Sequence, residues 1–188
     1  MKRNAILHGV GAVCGALVYA FFALPFYTIN VNPAALTDVA KMAGVPVGAT
    51  NGYSFLDTAL KQTDGSALAT FTAIMALLTL ILAGIVCLAS VFALLTDLKV
   101  IKNSKVAQVA GWVALCSTAV LALACVLNLI GNACFVANEL PDKLALAKAG
   151  LATRNGSLQI VAGWALTIIT TVLGLAATTT SIVAKCKK

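Results

Sequence analysis

ALATFTAIMALLTLILAGIVCLASVFALL, residues 67–95, continues for 29 residues without a charge. As an α-helix it would reach roughly 43 Å, beyond the roughly 30 Å hydrocarbon core of a bilayer. A water-soluble domain has no place for such a segment, so it reads as a transmembrane helix. Three comparable stretches accompany it, at about 5–29, 106–137 and 158–184. The chain is 61% hydrophobic and only 10% charged, which places it among integral membrane proteins. Four spans in 188 residues leave room for a single membrane domain, with loops at 30–66, 96–105 and 138–157. The expected fold is an all-α bundle of four antiparallel transmembrane helices with short helices in its outer loops.

The net charge of +7 is unevenly placed. Lys2, Arg3, Lys99, Lys102, Lys105, Lys185, Lys187 and Lys188 flank span ends on one side, opposed there only by Asp97. The remaining loops are balanced. By the positive-inside rule the basic side is cytoplasmic, and so are both termini, in a plasma or cytoplasmic membrane. Anionic lipid headgroups suit these lysines, and nucleic acid is not expected. The start of the chain reads as an uncleaved span. Its apolar run is too long for a signal-peptide core, and aromatics with Pro25 stand where a cleavage site would be. Phe21, Phe22, Phe26 and Tyr27 are expected to form an interfacial aromatic belt.

The outer loops carry helix signals. Asn32-Pro33 reads as an N-cap followed by proline at the first helical position, and Gly44 as the residue past that helix. Residues 54–62 suggest a second short helix, with a hairpin around Asn51-Gly52 as the alternative. Residues 141–149, closed by Gly150, suggest a third. The six cysteines lie in or beside spans and are expected as free thiols, with Cys186 suited to palmitoylation in a eukaryotic host.

Small and hydroxylated residues recur at helical spacing. Gly11 and Gly15 form a GxxxG on the first span, beside His8 and Tyr19. They are expected to pack against another helix of the chain, with a dimer seam as the alternative. The second span carries Thr72, Ala76, Thr79, Ala83, Cys87 and Ser90. The third carries Ser117, Ala124, Asn128, Gly131 and Asn132, and the fourth Thr167, Thr171, Gly174, Thr178 and Ser181. Gly11, Gly15 and Gly174 are the helix-packing candidates. Asn128, Asn132, Thr167 and Thr171 are the candidates for a polar path.

As a layout the chain resembles the claudin and peripheral-myelin-protein class, with a longer first outer loop, a short inner loop and a smaller second outer loop. That class carries Trp, Gly-Leu-Trp and paired Cys in its first outer loop. Residues 30–66 contain neither Trp nor Cys, so the resemblance is one of topology and carries over no residue.

Catalysis is not expected. The chain has one histidine and no Cys-x-x-Cys, Gly-x-Ser-x-Gly or phosphate loop. No cofactor, metal or small-molecule substrate is identified. The expected function is that of a non-catalytic structural or accessory membrane subunit, acting through helix–helix contacts in a homo-oligomer or with other membrane proteins. The alternative is a small oligomeric channel or carrier lined by Asn and Thr.

Overall fold

The computed structural model describes residues 2–61 and 66–186. Asp64 and the terminal lysines Lys187 and Lys188 therefore lie outside the described residues. The described chain is mostly helical and has four helices long and apolar enough to cross a membrane. In chain order the elements are α1 (Lys2–Phe21), β1 (Pro25–Asn32), a 3-10 turn (Ala34–Leu36), α2 (Thr37–Met42), β2 (Gly48–Asn51) and α3 (Gly52–Lys61). Then come α4 (Ala67–Asp97), α5 (Ser104–Cys134), a π-helical turn (Phe135–Glu139), α6 (Leu140–Lys143), α7 (Ala145–Ala152), β3 (Ser157–Ala162) and α8 (Trp164–Cys186).

The expectation of an all-α chain is corrected by a three-stranded antiparallel sheet ordered β2-β1-β3. Helix α1 stops at Phe21, and residues 25–29, expected within the first span, are strand. Pro25 cannot donate to a helix ladder, and Phe-Tyr-Thr-Ile beyond it favour extended backbone. Residues 158–162, expected in the fourth span, are also strand. The helix begins only after Gly163. Gln108–Trp112 and Gln159–Trp164 look alike as sequence, yet the first is helix and the second passes from strand to helix.

Local signals decide only some of the short helices: the one expected at 141–149 is divided into α6 and α7, and Gly150, expected to close it, lies inside α7, which runs to Ala152. Gly44 lies past α2 with φ +78°, the left-handed conformation that glycine adopts freely. Asn32 provides no side-chain cap, because Pro33 occupies the cap position before the 3-10 turn. Asn51 instead accepts a bond from the Ser54 N–H at 2.8 Å and opens α3, so no hairpin turns at Asn51-Gly52.

The chain packs as two compact units. The helical unit takes the described parts of Met1–Phe21, Met75–Asn128 and Ile168–Lys188. The sheet unit takes those of Phe22–Ile74 and Leu129–Thr167.

In the sheet unit β1 is central. Tyr27, Ile29 and Val31 stand opposite Ala162, Ile160 and Leu158 of β3, and Thr28 stands opposite Ala49 of β2. Phe22 and Phe26 are wholly buried here and Tyr27 is buried, so they are core rather than the expected interfacial belt. Phe26 stacks on Phe55 with ring centroids 4.2 Å apart. Phe55 meets Phe135 at 5.5 Å, and Tyr27 meets Phe135 at 6.2 Å. Such pairs add about 0.5–1.5 kcal/mol each beyond the area they bury.

In the helical unit, contacts order the helices pairwise. His8 meets Asp97 of α4 at 3.6 Å, and the Tyr19 hydroxyl donates to the Leu80 carbonyl of α4 at 2.8 Å. Along α5 and α8, Lys185 lies 4.2 Å from the Trp112 ring centroid, Thr178 donates to the Thr118 carbonyl at 2.8 Å and Thr171 to that of Cys125 at 3.3 Å. Ala89, Ala93, Ala110 and Ala114 form a buried alanine seam from α4 and α5.

Candidate functional site

Gly15 shows what the small residues do. A Cβ placed on it would lie 2.8 Å from the Ala83 carbonyl oxygen and 3.0 Å from the Cys87 nitrogen. Backbone therefore presses directly on backbone, a contact only glycine permits. A Cβ on Gly11 would lie 3.0 Å from the Ser90 hydroxyl, and one on Gly174 3.1 Å from the Ala122 Cα. All three helix-packing candidates are thus spent on neighbouring helices of the same chain, and the close approach that a GxxxG dimer seam needs is already occupied.

The stripes read from spacing coincide with the buried faces. On α4, Thr72, Ala76, Thr79, Ala83 and Ser90 are buried, with Cys87 half-buried. Ile74, Leu77, Ile81, Ile85 and Leu88 are exposed on the other side. On α5, Ser117, Ala124, Asn128, Gly131 and Asn132 are all buried. On α8, Thr167, Gly174 and Ser181 are buried, with Thr171 and Thr178 half-buried. Some hydroxyls discharge their donors within their own helix, whereas Thr171 reaches the Cys125 carbonyl on α5 and the buried Ser90 hydroxyl has no partner among the described residues. Thr72, Thr79 and Thr178 donate to carbonyls one turn back, at 2.8, 2.8 and 2.9 Å. That removes the cost of a lone hydroxyl in an apolar interior.

The two asparagines differ. Asn132 donates from Nδ2 to the Phe26 carbonyl at 3.3 Å, tying α5 to the start of β1 inside the sheet unit. Asn128 is wholly buried, and neither its amide oxygen nor its nitrogen has a hydrogen-bond partner among the described residues. Of the polar-path candidates, Asn132 and Thr167 belong to the sheet unit, and Asn128 and Thr171 to the helical unit.

A further concavity lies wholly within the sheet unit. It is a cleft of 480 Å³ bounded by Tyr27 of β1, Phe55, Thr58 and Ala59 of α3, Ala69 of α4, and Phe135. Lys41 on α2 and Lys143 on α6 bring its two cations. Lys143 is matched by Glu139 at 2.7 Å, one helical turn earlier, and its ammonium stands 5.8 Å from the Phe135 ring centroid. Lys41 is exposed and forms no ion pair among the described residues. The cleft was not legible in the sequence. Its walls come from segments far apart in the chain, and each contributes one or two residues that look like ordinary helix or strand positions. The available local clue was aromatic, since Phe135 lies near the outer end of the expected third span and Phe55 within the short helix expected in the first outer loop.

No known protein family, curated protein or solved structure matches this chain.

Proposed function

We propose that the chain is a non-catalytic structural or accessory subunit of a membrane, working through helix–helix contacts in a homo-oligomer or with other membrane proteins. One observation carries this reading. The glycine, alanine and hydroxyl stripes are turned inward and hold the chain together, while large apolar side chains occupy the opposite faces. Contacts with partners would then fall on exposed faces such as Val109, Trp112 and Val113 of α5, rather than on the GxxxG of α1. The reading includes an antiparallel, claudin-like layout with both termini cytoplasmic. The pairings of α1 with α4 and of α5 with α8 support the antiparallel part, and the basic segments support the orientation.

Native mass spectrometry of the protein drawn from its own membrane in mild detergent tests the function. A discrete complex at fixed ratio, of identical or mixed subunits, is expected. A bare monomer throughout would overturn it. The threading is tested with an impermeant amine reagent on intact cells, read peptide by peptide. Lys61 and Lys148 should react and Lys102 should not, and the reverse pattern would sink the assigned orientation.

The second reading, a small oligomeric channel or carrier, is favoured by Asn128 alone, whose buried amide lacks a partner among the described residues. Asn128→Leu separates the two. Under the structural reading it removes an unbonded amide from the interior, raises stability by about 1 kcal/mol in a detergent melt and leaves assembly intact. Under the channel reading it abolishes flux that the parent protein shows in reconstituted vesicles.

A further inference from the structure

We propose that the cleft of the sheet unit is a binding site for a single-chain amphiphile with an anionic head, its tail lying among Tyr27, Phe55 and Phe135 and its head meeting Lys41. Four features support this. The cleft's 480 Å³ falls in the range of small-molecule sites. Its aromatic wall is packed in place, because Phe55 is held between Phe26 and Phe135. Such a site loses little freedom on binding.

The charge is also specific. Two lysines line the cleft, but Glu139 answers Lys143, which leaves Lys41 as the cation for a ligand among the described residues. An acyl tail without a charged head would leave it unused. Finally, the source of such a ligand is adjacent. Ala69 lies in the first turn of α4, a helix apolar enough to cross a bilayer, and Phe135 directly follows α5, another such helix. An amphiphile already dissolved in the membrane would reach the cleft along these helix ends.

The shared chemistry is an anionic head on one acyl chain, and it could come from a free fatty acid or a lysophospholipid. Full-length protein in nanodiscs of zwitterionic lipid, titrated with radiolabelled laurate and competed with dodecyl phosphate or dodecanol, tests it. Saturable binding of one laurate per chain is expected, with dodecanol about fivefold weaker as a competitor, the size of one exposed ion pair. Stronger competition by dodecyl phosphate assigns the phosphate source, and weaker competition the carboxylate. Lys41→Gln, on the exposed rim, should erase the preference for anionic over neutral competitors. Ala59→Phe should reduce saturable binding of all three by filling the cleft. Uptake that never saturates, or dodecanol competing as well as laurate in the parent protein, would overturn the proposal. Lys41→Gln supplies the decision should Ala59→Phe fail to fold.

Discussion

Gly163→Ala is expected to prevent accumulation of the folded protein. Gly163 joins β3 to α8, and its N–H donates to the Phe26 carbonyl at 2.9 Å. A Cβ there would fall on the Pro25 carbonyl and against the backbone of Phe26. These are main-chain atoms of the central strand, so no rotamer change can relieve the clash. Either β1 leaves β3 or Phe26 leaves its stack with Phe55. Overpacking costs typically about 1–3 kcal/mol, and a backbone clash belongs at or above the upper end. Set against a total stability of about 5–15 kcal/mol, that is a large share. A fluorescence-tagged protein followed by size exclusion across a heating series reads the result. If the alanine variant elutes and melts with the parent, the close approach of Gly163 to β1 is wrong.

The second large effect is a graded series on one helix. Gly9, Gly11 and Gly15 all lie on α1 and each would gain the same methyl group as alanine. At Gly15 the methyl meets the Ala83 carbonyl and the Cys87 nitrogen, so α1 must move away from α4, at a cost of about 1–3 kcal/mol. At Gly11 the nearest atom is the Ser90 hydroxyl, the mobile end of a side chain, and the cost should be smaller. At Gly9 nothing lies within 4 Å, so alanine's better helix propensity should show as a gain of up to about 1 kcal/mol. Because propensity favours alanine equally at all three, the ranking isolates packing. Gly15→Leu should separate α1 from α4 altogether and break the bond from the Tyr19 hydroxyl to the Leu80 carbonyl. Thermal melts in one detergent test the order. An equal response at Gly9 and Gly15 would refute the inward-facing role of the GxxxG.

The same residues show how far the sequence could be read. The buried faces of α4 and α5 were visible because a helix repeats every 3.6 residues whatever surrounds it, so Thr72, Thr79, Asn128 and Asn132 announce a shared side by number alone. Which partner each residue meets was not visible. Asn132 binds a carbonyl 106 residues away, while Asn128, one turn earlier, meets no partner among the described residues. The strands were missed for a related reason. Residues 25–29 and 158–162 are apolar and adjoin apolar helices, and hydropathy makes no distinction between a strand and the last turns of a span. Pro25 and Gly163 were the local signs of the break.

By itself, then, the sequence determined the number of long apolar helices, the faces they bury, the basic loops and the short helix closed by Gly44. Each follows from composition or from spacing within one segment. Tertiary structure alone decided that residues 25–32 become the centre of a sheet, that the GxxxG is consumed within the chain, and that Lys41 shares a cleft with Phe55 and Phe135. Strand pairing and cleft formation join residues distant in the chain. Their energies depend on which distant segment supplies the partner, and no local pattern encodes that choice.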